Sequence, residues 1–421
     1  MDYEAIINLI KREVVPAVGC TEPMAVALCV AKAKEMLGGL PDSISVGLSA
    51  NMLKNAMGVG IPGTGMIGLP IAVALGATIG KSEYELEVLK EVSPTAVDEA
   101  KEYMAKHSIK IDLAKDAPSK LYIDAIVVAG DKRCRAIISG RHTNFIYLAK
   151  GDDVLLDTHC GDEAEADSDP KLTLRMVYDF ATQCPLEKLE FMAEAKRLNE
   201  HAAEIALSEE YGHSLGRTIL NSGRRVFGDT PLAHMMAVTS AACDARMGGC
   251  PVAVMSNSGS GNQGITATMP VVSYAKDCGA DHEHTIRALT LSNLCSIYIK
   301  QGLGRLSALC GCVVASTGAS SGIAYLMGAS YQQITAAVKN MVANLTGMIC
   351  DGAKPSCAMK ISSGVSTAMM SALLAMDGKC ASSSEGIICD DVDKTIHNLT
   401  SIGKDAMLET DALVLNIMVN K

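Results

Sequence analysis

Two apolar periods divide this chain, and they limit the folds open to it. Across "LYIDAIVVAG", "RCRAIISG", "NFIYLAKG" and "DVLLDT", short β-branched runs are separated by polar turn residues. That pattern predicts an antiparallel meander. Upstream, "SISVGLSA" alternates in the same way and predicts one more strand. Beyond the acidic stretch "GDEAEADSDP", almost every apolar run has helical spacing instead. The acidic stretch reads as a linker, with a boundary somewhere between about 160 and 190. The fold class expected is α+β. An α+β domain with a small antiparallel sheet covers residues 1–180, and a mainly α-helical domain covers residues 181–421.

Local signals support the helices. Ser93 and Pro94 supply an N-cap and a first helical residue for "TAVDEAKEYMAKH". Asp281 caps "HEHTIRALTLSNLCSIYIKQ", which Gly302 is expected to close. Ser330 and Gln333 form a capping-box pair for "YQQITAAVKNMVANLTGMI". "LEKLEFMAEAKRLNEHAAEIALSEE" combines strong helix formers with charge pairs four apart.

The core has to be built almost without aromatic rings, since four Phe and no Trp stand against 23 Met. That favours closely packed helices over an aromatic-rich β-sandwich. A net charge of -10 argues against a nucleic-acid partner, which requires clustered Lys and Arg. The first residues, "MDYEAIINLIKREVV", read as a charged amphipathic helix and not as an export signal. The stretch "IPGTGMIGLPIAVALGATIG" is broken by Pro62 and Pro70, which makes it a poor membrane span. The expected setting is the cytoplasm, with no membrane partner. An apolar, Met-rich bundle is compatible with a homodimer.

Fifteen cysteines are too many to pass over, and their odd number speaks against a disulfide framework. Most read as small buried hydrophobes, among them Cys29, Cys243, Cys250, Cys295 and Cys380. Cys134, Cys160 and Cys184 have no partner pattern nearby. "CDGAKPSC" differs: Cys350 and Cys357 flank a helix-breaking insert, one at a helix end and one at a helix start. Thiolates on a rigid turn can ligate a soft metal, and helix N–H groups favour a negatively charged sulfide cluster. Two buried structural cysteines would fit the same pattern. In "LCGC", Cys310 or Cys312 is a third candidate. Three thiolates leave one iron of a [4Fe–4S] cluster without a protein ligand, and such an iron is a Lewis acid.

Cys20 lies in "GCTEP", on a loop entering a helix. The helix N-terminus is expected to lower its thiol pKa, making it a base, a nucleophile or a transient ligand. The loop in "VMSNSGSGNQGI" offers Ser256, Asn257, Ser258, Gly259, Ser260, Gly261, Asn262 and Gln263 as a cradle for a carboxylate or phosphate. It matches neither a P-loop nor a dinucleotide fingerprint. His282 and His284 read as a helix start, because they point to different helix faces.

Taken in order, "GCTEP", "SNSGSGNQGI", "LCGCVVAS" and "CDGAKPSC" resemble the L-cysteine desulfidase family. They are more distantly similar to the iron–sulfur L-serine dehydratases. "SNSGSGNQGI" and "CDGAKPSC" depart from the dehydratase pattern and favour the desulfidase branch. The resemblance implies an oxygen-sensitive [4Fe–4S] lyase that converts L-cysteine to pyruvate, ammonia and sulfide without pyridoxal phosphate. It implies Cys310, Cys350 and Cys357 as ligands. Cys310 is preferred over Cys312 because its separation from Cys350 matches the family. It further implies Cys20 as the catalytic base, with Thr21 and the Ser256–Gln263 loop binding substrate. L-serine dehydration and a non-catalytic iron–sulfur redox or sensor role are the alternatives.

Overall fold

The computed structural model describes residues 1–114, 116–158, 169–304 and 307–420. Helix α1 (Tyr3–Glu13) and strand β1 (Pro16–Val18) lead into α2 (Thr21–Leu37), β2 (Ser43–Leu48) and α3 (Ala50–Ala56). Helices α4 (Leu69–Thr78) and α5 (Pro94–Lys106) precede β3 (Ser108–Leu113). Strands β4 (Tyr122–Ala129), β5 (Lys132–Ser139), β6 (Phe145–Lys150) and β7 (Asp153–Asp157) follow. Next come α6 (Leu174–Gln183), α7 (Ala193–Ser208), α8 (Leu215–Leu220), α9 (Arg224–Phe227) and α10 (Pro231–Met247). Strand β8 (Ala253–Met255) then introduces α11 (Gly261–Asp277), α12 (His282–Leu303) and α13 (Gly311–Leu326). The chain closes with α14 (Tyr331–Leu345), α15 (Cys357–Met376), α16 (Val392–Ser401) and α17 (Leu408–Val419).

The fold is mixed α and β, with helices predominant. Strands β4 to β7 form the antiparallel meander that their spacing predicts. The sheet is larger than expected, however, with six strands in the order β3-β2-β4-β5-β6-β7. It is not purely antiparallel, because β3 lies parallel to β2. A parallel neighbour needs a long crossover, and α3 to α5 supply it. The acidic stretch lies outside the described residues up to position 168, as does Cys160.

Two main cores result. One joins α2 and α4 to the sheet through Leu28, Ile71, Leu75, Ile44, Leu48 and Ile123. The backbones of α2 and α4 nearly touch, since a Cβ on Gly76 would lie 2.6 Å from Ala27 O. The other core is helical, and it includes the first helix of the chain. Ile6 and Ile10 of α1 are buried with Phe180 of α6 and Leu289 of α12. Truncating either isoleucine to Ala would cost about 2–5 kcal/mol.

The caps act as the sequence suggests. Ser93 Oγ accepts from the Ala96 N–H at 3.2 Å, and Ser330 with Gln333 forms a full capping box. Asp281 caps α12, which confirms the helix start assigned to His282 and His284. Two boundaries differ. Gly302 does not close α12, which ends at Leu303 with Gly304 at φ +82°; Gly302 instead lets α12 approach Thr400. After Pro185, the run expected to be helical begins with two short 3₁₀ turns before α7.

One further feature positions the site. Strand β1 pairs antiparallel with β8, matching Pro16 with Met255 and Val18 with Ala253. The GCTEP turn and the SNSGSGN loop leave this small ribbon at its two ends. Segments some 240 residues apart in sequence are thereby held side by side.

Candidate active site

The loop after β8 is saturated by its own surroundings. The Ser256 N–H and hydroxyl both donate to Val15 O, at 2.8 and 2.6 Å. The Ser258 N–H donates to Glu13 O at 2.9 Å, and Asn257 and Ser260 exchange backbone bonds at 3.0 Å. Ser258 and Gly259 have positive φ, which turns the chain sharply enough for Ser260 Oγ to cap α11 at the Gln263 N–H. Gly261, Asn262 and Gln263 therefore form the first helical turn and are not part of an open loop. The backbone donors at 256, 257, 258 and 260 are spent, which leaves side chains to meet a ligand.

The side chain most exposed to that question is Arg246, at the end of α10 and only 3% exposed. Its Nε donates to Gly19 O and its Nη1 to Asn262 Oδ1, both at 3.1 Å. Both acceptors are neutral, so two of five guanidinium donors are committed and the charge is unmatched by them. Gly261 is required here, because a Cβ would stand 2.2 Å from Arg246 Nε.

Cys20 is the N-cap residue of α2 but makes no capping bond. Its Sγ donates to Glu22 Oε2 at 2.8 Å, and the Thr21 hydroxyl donates to the same oxygen at 3.2 Å. Burial, and then the Glu22 charge, push the Cys20 thiol well above its ordinary range, against the pull of Arg246. The expectation of a pKa lowered by the helix N-terminus is thus corrected: desolvation outweighs the helix end. Burial also works to raise the Glu22 carboxyl. It is outweighed by His142, the Cys20 thiol, a backbone N–H and Arg246, so Glu22 lies below the ordinary carboxylate range. The pair is a protonated thiol facing an ionised carboxylate.

The cysteine side is built differently. An antiparallel bridge joins Leu309 to Ile349. The Cys310 N–H donates to Met348 O at 3.0 Å and the Cys350 N–H to Ala308 O at 2.7 Å, which fixes these two residues against each other. Cys310 is the N-cap of α13, and Cys357 is the first residue of α15. Burial, then the nearby Cys350 and Cys357, push the Cys310 thiol up to about 12. Cys357 is also raised, by burial first, with Cys350 adding to it and Lys354 and Lys360 opposing. Lys360 Nζ donates to Ile349 O at 2.7 Å and pairs with Asp351. Cys312 is buried and donates to Lys360 O at 3.2 Å; burial, and then Cys310 and Cys357, raise its pKa, so it shares the neighbourhood of those two thiols.

Each of the three expected ligands therefore lies within electrostatic reach of the other two. Among the described residues, no group of three or more His, Cys, Asp or Glu converges tightly enough to hold a single metal ion. A four-iron cluster makes a different demand, since each thiolate binds a different iron and the sulfurs need not meet at one point. The donor set suits such a group: three thiols, two at helix starts, with two lysines nearby. Among the described residues the buried acceptor Gln263 Oε1 has no hydrogen-bond partner, and it faces the same turn, 3.2 Å from where a Cβ on Gly311 would stand.

The two halves meet through α3 and Cys243. Cys243 Sγ donates to Asn262 Oδ1 at 3.6 Å; burial raises its pKa, and Cys357 raises it further. Cys20 Sγ lies 4.0 Å from Asn55 O. The preceding residue, Lys54, is 2% exposed, pairs with Asp411 of α17 and reaches Cys350 O at 3.5 Å. Gly352 passes so close that a Cβ would be 2.2 Å from Lys54 O. Sequence reasoning did not single out Arg246, Glu22, Lys54, Lys354 or Lys360, and it assigned Cys243 to packing alone. An arginine inside the apolar run "AACDARMGG" was the available signal. Cys380, assigned to packing, is exposed, while Cys29, Cys250 and Cys295 are buried as expected. Helix α15 is long and apolar enough to cross a bilayer, yet over half of that stretch is buried in the protein.

With this geometry in view, residues 83–416 match the family described as serine dehydratase alpha chain. Relatives carrying the name UPF0597 protein align along the whole chain. One from Phocaeicola vulgatus is 61% identical over 426 residues, covering 100% of this chain and 98% of the relative. One from Bacteroides fragilis is 59% identical over 422 residues, covering 100% and 99%. One from Oleidesulfovibrio alaskensis is 44% identical over 423 residues, again covering 100% and 99%. The chain belongs to the serine dehydratase alpha chain family.

Proposed function

We propose that this protein is a [4Fe–4S]-dependent lyase that converts L-cysteine to pyruvate, ammonia and sulfide without pyridoxal phosphate. The observation that carries this reading is the mutual proximity of Cys310, Cys350 and Cys357, near the buried, charged group formed by Arg246, Glu22 and Cys20. A cluster held by three thiolates supplies one Lewis-acidic iron with an open position. Everything else is the work of the chain.

Arg246 receives the substrate carboxylate with the donors that Gly19 and Asn262 leave free. The Cys20–Glu22 pair handles the Cα proton. Sγ takes the Cα proton as it gives its own to the ionised Oε2 across 2.8 Å, so that the carboxylate is the net acceptor and no free thiolate has to form. Loss of the Cα proton and departure of the β-sulfur with its bonding pair leave aminoacrylate. Water then replaces the amino group, releasing ammonia and giving pyruvate.

A second reading, L-serine dehydration, is favoured by the family match itself. The two differ in the leaving atom and not in the frame around Cα. The test is anaerobic isolation, measurement of iron and sulfide, and comparison of pyruvate release from L-cysteine and L-serine. Faster release from cysteine, with sulfide in equal amount, supports the desulfidase reading. Faster release from serine replaces it with dehydration. An iron–sulfur chromophore with no pyruvate from either amino acid points to a redox or sensor protein.

A further inference from the structure

A chain of buried amides sets the polarity of one atom at the site. Asn293 Nδ2 donates to the carbonyl of Leu289 at 3.0 Å, which leaves Asn293 Oδ1 as an acceptor. Asn257 Nδ2 donates to that oxygen at 3.0 Å and to the Asn293 carbonyl at 3.1 Å. Asn257 Oδ1 must then accept, and it does, from Gln263 Nε2 at 3.0 Å and from the Ser258 hydroxyl at 2.9 Å. Asn293 Nδ2 and Asn257 Nδ2 both rest on backbone carbonyls, which cannot reverse their role. Flipping Gln263 would set two carbonyl-type oxygens against each other at Asn257. Gln263 Oε1 is therefore fixed as an acceptor; its residue is 1% exposed, and among the described residues the atom has no hydrogen-bond partner.

A buried acceptor without a donor costs free energy unless something is bound to it. Gln263 Oε1 faces the Cys310–Gly311 turn, and the same helical turn carries Asn262, which holds Arg246. Building on the proposed reaction, we infer that Gln263 Oε1 accepts a hydrogen bond from the α-ammonium group of the substrate. Arg246 and Gln263 then read opposite ends of an α-amino acid, one offering donors to the carboxylate and the other an acceptor to the ammonium. The Asn293–Asn257–Gln263 relay is the positioning device. The site accepts α-amino acids and rejects the corresponding acids without nitrogen, whichever β-substituent leaves.

L-alanine and propionate test this directly, because neither has a group to eliminate and they differ in the ammonium. Calorimetric titration of the anaerobically isolated full chain should give alanine an affinity on the order of 10- to 100-fold above propionate. Gln263→Leu should reduce that ratio to near one while leaving propionate affinity unchanged. Equal binding of the two ligands by the wild-type chain would overturn the inference without any variant having to fold. So would a Gln263→Leu protein of unchanged melting temperature that keeps the preference. Pyruvate release from cysteine and serine tests the reaction separately, and the alanine preference holds whichever of the two is turned over.

Discussion

The two halves of the site solve opposite problems. The polar half, from Cys20 and Glu22 through Arg246 to Asn257 and Gln263, is buried and almost fully satisfied by internal hydrogen bonds. Its few uncommitted atoms, such as Gln263 Oε1, are therefore informative. The cysteine half has the reverse character. Burial first, and then neighbouring cysteines, raise the Cys310 and Cys357 thiols, and the three cysteines stand at helix starts and in a turn beside Lys354 and Lys360. Three cysteines drawn from separate segments into one neighbourhood form a donor set that suits a soft, multi-centre ligand. The polar half is braced by its own hydrogen bonds and keeps open only a few donors of Arg246 and one acceptor of Gln263, whereas the cysteine half offers its donors together.

This contrast can be broken or sharpened by substitution, beginning with the largest effect. Cys350→Ser or Cys357→Ser should abolish pyruvate release and most bound iron, measured by iron assay after anaerobic isolation. In the polar half, Glu22→Gln and Cys20→Ser should keep iron at the wild-type level and lower kcat by roughly 10²- to 10⁴-fold. If Cys20→Ser keeps both iron and activity, its assigned role is wrong. Arg246→Met should raise KM by on the order of 10- to 100-fold with iron retained, and stability should fall by about 1–3 kcal/mol as buried acceptors lose their donor. Lys360→Met should leave turnover nearly intact and make iron loss to a chelator about 10-fold faster, as expected for a group that supports ligands without binding metal.

The smallest effect lies outside both halves. His234 bridges Asp229 and Asp277, and the Asp229 bond chiefly raises its pKa above the ordinary 6.5. The histidinium is thus favoured in the folded chain. Its contribution is fully present below pH 6.5 and is lost as pH rises through the raised folded value. At a partly exposed site this is worth about 0.5 kcal/mol. Melting curves of His234→Gln against wild type should differ at pH 6 and merge at pH 9, with no change in iron content.

What the sequence made legible was local. Ser93, Asp281 and the Ser330–Gln333 pair announced their helices because a cap acts over three residues. The meander was readable because each of its strands pairs with the next. Strand β3 was missed because its partner is set by a crossover through three helices, and its residues are mostly exposed. At the proposed site, the short motifs named residues that the fold brings near one another, among them Cys310, Cys350 and Cys357. Arg246 was not, because its meaning lies in a contact with Gly19 that spans 227 positions. The direction of the Cys20 shift failed for a related reason: a helix N-terminus is visible in sequence, but the burial that outweighs it is not.

Mössbauer spectroscopy of the anaerobically isolated, iron-labelled chain tests the core of this account most directly. One [4Fe–4S] cluster per chain, with a single iron that changes its signal on adding L-cysteine or L-serine, is the expected result. Four irons that all ignore the amino acid, or a chain that binds no cluster while Cys310, Cys350 and Cys357 are intact and reduced, would contradict it.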